Sequence, residues 1–129
     1  IIDFENYFKK IDLEIIVIGG VPQWQPNLPE HMVRNRVLFD NINKDLYLQN
    51  DQLTAVRNRD QFVSDLIDYN FDNSVTFISL IDEFCVDGSC MAVKHGELME
   101  PFTYDYGHVT ESGSITLAAF ITATLDMKL

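Results

Sequence analysis

Positive charge is scarce in this chain. Nine Lys and Arg residues stand against 20 Asp and Glu, a formal net charge of −11 over 129 residues. A nucleic-acid surface needs clustered cations to displace counterions from phosphates, so that class of partner is excluded. Docking on anionic lipid through a polybasic patch is excluded on the same ground. Long hydrophobic runs are absent too. No stretch approaches the ~18–20 apolar residues of a membrane span, so direct insertion of this segment into a bilayer is not expected. There are only two cysteines, without the second pair that a common zinc site would need. No repeat, low-complexity tract or interdomain linker breaks the chain. Neither an initiator Met nor a signal-peptide layout opens Ile1-Ile2-Asp3-Phe4-Glu5, which reads as a segment excised from something longer.

What is present is the composition of a globular domain, with 47% apolar and 22% charged residues. That length supports a real core. Asp3 to Asp12 reads as a capped helix with Phe4, Tyr7, Phe8 and Ile11 on one face. The β-branched run Leu13–Gly19 reads as a strand covered on both faces, as in a parallel sheet. Gly20 to Pro29, with three prolines and the only Trp, Trp24, is a loop. At a strand's C-terminal end such a loop is either packed lid or ligand wall. A short helix is expected from Pro29 to about Leu38, and polar turn from Asn41 to Asn50. A longer helix follows from Asp51 to about Tyr69, burying Leu53, Val56, Phe62, Val63, Leu66 and Ile67. Ser74–Ile81 is a second strand, and the last helix runs from Ile115 to about Met127. This alternation predicts an α/β fold with parallel strands.

Two short words carry chemistry. In Cys85-Val86-Asp87-Gly88-Ser89-Cys90, Asp-Gly is turn chemistry, so the spacing suits a tight loop closed by a disulfide, and hence an oxidising compartment. A metal site using Cys85, Cys90 and His95, or two free thiols, are the competing readings. The second word is Tyr104-Asp105-Tyr106-Gly107-His108-Val109-Thr110. An acid and an imidazole three apart, just ahead of a helix, can orient and activate a hydroxyl nucleophile. The bland reading of Asp105 and His108 is a surface turn. Thr110 suits a helix cap, and neither Ser112 nor Ser114 lies in a strand-to-helix elbow that would make it a nucleophile. His31 and His95 read as surface and turn residues. Trp24 suits either stacking on a sugar ring or packing in the core.

Asp105-x-x-His108 resembles the last block of the SGNH hydrolase family. The stretch Val17-Ile18-Gly19-Gly20-Val21-Pro22-x-Trp24 resembles the late strand of SGNH domains fused to bacterial type-3 membrane acyltransferases, which O-acetylate O-antigen and other cell-surface glycans. Gly20 stands where that family often carries Pro. The late Cys pair and Gly113-Ser114 match in order and spacing. The resemblance implies that residues 1–129 are the C-terminal portion of one flavodoxin-like, three-layer α/β/α domain whose front strands are missing. It implies Asp105 and His108 as two members of a Ser-His-Asp triad, whose serine and oxyanion donors belong to the absent front part. The isolated chain is then expected to be inactive, with no metal or organic cofactor required. The parent would be a periplasmic portion of a bacterial inner-membrane protein, meeting an acyl donor and a glycan acceptor. An uncovered edge at Leu13–Gly19 would favour self-association. The alternative is a non-catalytic extracytoplasmic module that binds glycan or a partner through Trp24 and nearby loops, or a complete small binding domain in which Asp105 and His108 are structural.

Overall fold

The structure is a computed structural model that describes residue 10 and residues 14–38, 43–71, 75–96 and 99–127. The helix expected over Asp3–Asp12 falls almost wholly outside them. Strand β1 (Ile15–Ile18) pairs in parallel with β3 (Val75–Ile78), Ile15 opposite Val75 and Ile18 opposite Ile78. Both are runs of β-branched and aromatic residues, which suit a pleated, half-buried surface. Between them come helix α1 (Leu28–Arg34), strand β2 (Leu46–Gln49) and helix α2 (Leu53–Asn70). A crossover of this kind is what parallel neighbours require.

The chain then builds a second, antiparallel sheet in the order β2-β5-β4, with β4 at Cys85–Val86 and β5 at Ser89–Val93. Asp87 and Gly88 both take positive φ, 48° and 82°. Two left-handed residues in a two-residue loop make the tight turn whose twist matches a hairpin. Cys85 and Cys90 face each other across that hairpin and are joined. Both sulfurs are therefore committed to the disulfide and neither can serve a metal with His95. Met91, Ala92 and Val93 of the central strand β5 are buried, and with Phe84 and Phe102 they anchor the core.

Several sequence expectations shift. The polar stretch 41–50 contains β2, whose Leu46 and Leu48 half-bury in alternation while Tyr47 and Gln49 face out. The strand expected over Ser74–Ile81 stops at Ile78. Ser79 caps a short helix α3 (Leu80–Phe84), its hydroxyl accepting from the Asp82 amide, and Leu80 and Ile81 are buried as helical residues. On α2 the buried face is Leu53, Val56, Asp60 and Ile67, whereas Phe62 and Leu66 are exposed. The apolar residues split into two stripes, and only one meets the sheet.

The last helix α4 (Glu111–Asp126) begins four residues before the expected Ile115, and Thr110 caps it as expected, its hydroxyl accepting from the Gly113 amide. The same hydroxyl donates to the carbonyl of Pro101 at 2.6 Å. Gly113 is fixed by contact, because a Cβ there would lie 2.3 Å from the Phe102 carbonyl oxygen. The first turn of α4 is thereby pressed against the extended segment 101–103. That pins the loop between them.

Candidate active site

Residues 103–109 form a closed loop. Thr103 and Val109 bridge antiparallel, and the Tyr104 amide donates to the His108 carbonyl at 2.9 Å. Inside the loop, Asp105 Oδ1 accepts from the amides of Gly107 at 2.9 Å and His108 at 2.8 Å. Its other oxygen, Oδ2, lies 2.6 Å from His108 Nδ1. These donors, the Gly107 amide foremost, then the His108 amide and ring, lower the Asp105 pKa to about 2. An ionised carboxylate only accepts, so Nδ1 must carry the hydrogen, and a neutral ring presents Nε2 as its basic nitrogen. The loop thus fixes both the tautomer and the direction of the imidazole. Tyr104 stacks on that ring at 5.7 Å, and Tyr106 meets it edge-on at 5.8 Å.

A second loop, residues 19–27, holds the first in place. The Trp24 amide donates to the Tyr106 carbonyl at 2.7 Å and the Leu28 amide to that of Asp105 at 3.4 Å. The Asn50 side chain donates to the Gln23 carbonyl at 2.9 Å. Beneath lies Asp60, which accepts from the Gly20 amide at 3.0 Å and the Ser79 hydroxyl at 3.1 Å. It therefore straps together the C-terminal ends of β1 and β3. Sequence reasoning did not single out Asp60 or Asn50. Asp60 left one trace, an acid in register with Leu53 and Val56 on a buried face.

Trp24 is core in this structure, only 2% exposed, its ring 5.5 Å from that of His31. Its faces are covered, so no sugar stacks on them here. Its Nε1–H is buried without a partner among the described residues. A cavity of about 440 Å³ opens beside it, bounded by the 23–27 loop, Gln52, Asp105 and Tyr106. A larger one of about 810 Å³ lies between β5 and α4, past His95, and touches neither Asp105 nor His108. His95 is held at its rim, its amide donating to Asp45 at 2.9 Å. Ser112 is buried in the first turn of α4. No group of three or more His, Cys, Asp or Glu residues suited to a metal occurs among the described residues. None of the described helices is long and apolar enough to cross a membrane.

Parallel strands, alternating helices and an acid-histidine loop just ahead of the last helix define an SGNH-type α/β domain. The chain belongs to the family described as SGNH domain (fused to AT3 domains), whose model matches residues 5–123. It is similar in structure to the periplasmic domain of a lipopolysaccharide acetyltransferase from Salmonella ser. Paratyphi A, with a TM-score of 0.67 and 25% identity. That likeness covers 95% of this chain and 47% of the other, so the chain spans about half the length of its structural relative. Comparison with curated proteins gives no match.

Proposed function

We propose that this chain is the C-terminal portion of a single SGNH domain that transfers or hydrolyses an O-acyl group on a cell-surface glycan, on the periplasmic side of a membrane-bound acyltransferase. His108 is the general base and acid, and Asp105 orients it. The observation that carries this reading is the 2.6 Å contact between His108 Nδ1 and a carboxylate already held by two backbone amides. Family membership and the acetyltransferase neighbour support the acyl chemistry.

In this reading a serine from the rest of the domain attacks the acyl carbonyl while Nε2 takes its proton. The leaving group then receives that proton from Nε2, and the acyl group remains on the serine. A glycan hydroxyl, or water, next gives its proton to Nε2 and attacks the acyl-serine, and the serine is restored by the proton returning. Asp105 stabilises the imidazolium at each stage without itself taking the proton. The oxyanion donors also belong to the rest of the domain.

The chain alone is expected to show no turnover on p-nitrophenyl acetate, whereas a longer protein carrying the proposed serine is expected to be active. Full activity of that longer protein after His108→Ala would refute the assignment. The non-catalytic alternative, binding through Trp24 and nearby loops, loses the buried faces of Trp24 and keeps the loops around it.

A further inference from the structure

The cavity beside Asp105 has an unusual lining for its size. Four of its side chains are carboxamides, those of Gln23, Gln25, Asn27 and Gln52, and Tyr106 supplies an aromatic ring. Carboxamides both donate and accept, which matches a ligand bearing several hydroxyls of either sense. Two of the four are occupied: Gln23 Oε1 accepts from Arg59, and Asn27 Oδ1 caps α1 by accepting from the Glu30 amide. Gln25 and Gln52 commit their side-chain amides to no hydrogen bond among the described residues.

Charge narrows the ligand. Among the described residues, the only ionisable groups in the wall are Asp105 and Tyr106, and no Lys, Arg or His lines it. An anionic ligand would meet a carboxylate and no cation, in a chain of net charge −11. A cationic ligand would find Asp105 Oδ1 and Oδ2 already engaged by the loop and His108. A neutral polyol meets neither difficulty. The volume, about 440 Å³, falls within the range of small-molecule sites.

Position gives the cavity a purpose. Tyr106 lines it and also lies edge-on to His108, 5.8 Å between ring centres. A sugar seated on the amides therefore sits next to the imidazole with one ring between them.

We propose that this cavity is a subsite for a neutral, uncharged sugar unit of the acceptor, with Gln25 and Gln52 reading its hydroxyls and Tyr106 its apolar face. The proposal rests on the acyl-transfer reading for its biological sense, though the binding itself does not. The test is a titration of the 129-residue chain with methyl glycosides of glucose, galactose, mannose and N-acetylglucosamine, and with galacturonate as the charged counterpart. Chemical shifts of the Gln25 and Gln52 side-chain amides and of the Trp24 indole are followed, with circular dichroism to verify the fold.

Saturable shifts with at least one neutral glycoside are expected, with galacturonate binding more weakly. Gln25→Ala and Gln52→Ala should each weaken binding about fivefold to tenfold, the size of one lost neutral hydrogen bond. No shift with any neutral glycoside, equal binding of galacturonate, or affinity untouched by both substitutions would overturn the proposal. The two readings fail separately. Sugar binding alongside a fully active His108→Ala enzyme would sink the base assignment only, and a His108-dependent enzyme whose chain binds no sugar would sink the subsite only.

Discussion

The amide of Trp24 donates to the carbonyl of Tyr106 across 2.7 Å, joining the loop after β1 to the loop that holds Asp105 and His108. Asp60 anchors the first loop in turn through the Gly20 amide. The imidazole is positioned by two strands, a helix and a loop acting together. Removing the strap should therefore be felt at the site. Asp60→Ala leaves a half-buried amide and hydroxyl short of an acceptor and is expected to cost about 1–2 kcal/mol in urea unfolding. Asp60→Asn, which keeps one acceptor oxygen, should lose less. Equal stability of all three forms would refute the strap.

Protonation of Asp105 should be displaced to unusually acid pH. Its pKa in the fold, about 2, lies below the ordinary value of 3.8. A group lowered in this way adds stability that is complete above roughly pH 4 and lost as pH falls through about 2. Following the Asp105 carboxyl carbon by NMR should give a midpoint near that lower value. A midpoint at the ordinary value would mean the loop does not hold the carboxylate as described.

Asp105→Asn removes the carboxylate's charge and its hold on the ring together while keeping the side chain's size. An amide can donate to Nδ1 and so favour the opposite tautomer, leaving Nε2 protonated. In the longer protein that supplies the proposed serine, kcat is expected to fall by ~10³–10⁴. Retained activity would mean that Asp105 does not set the ring.

Gly113→Ala should be poorly tolerated although Ala favours helices. Its Cβ would collide with backbone, the Phe102 carbonyl, which cannot rotate away as a side chain would. A loss of about 1–3 kcal/mol is expected from thermal or urea unfolding. An unchanged midpoint would show that the start of α4 yields easily.

Among the described residues β1 has one neighbour, β3, and its Ile18 is 46% exposed. An open apolar strand edge invites pairing with another copy. Size-exclusion chromatography with light scattering should find this chain self-associated. Strictly monomeric behaviour at all concentrations would count against that.

The elements legible in sequence were those whose signal is local. β1 and β3 announce themselves as β-branched runs, α2 as an uninterrupted helical stretch, and the Cys85-to-Cys90 turn as Asp-Gly between paired cysteines. The pairing of Asp105 with His108 was legible because both lie in one loop. β2 was hidden because four alternating residues amid polar ones say little until β5 lies beside them. Asp60 was hidden because its partners, Gly20 and Ser79, are 40 and 19 residues away. Phe62 and Leu66 misled for the converse reason, since apolar spacing gives a helix two possible faces without saying which meets the sheet.

The cystine in the β4–β5 hairpin has a consequence for how the protein can be made. Its sulfurs sit on opposed strand residues, one pair beyond the Asp87-Gly88 turn, and these 129 residues hold no third thiol. One partner exists for each, a few residues away, so oxidation needs neither a distant encounter nor shuffling among wrong pairs. Material purified reduced should therefore regain the bond in air, without help from an isomerase.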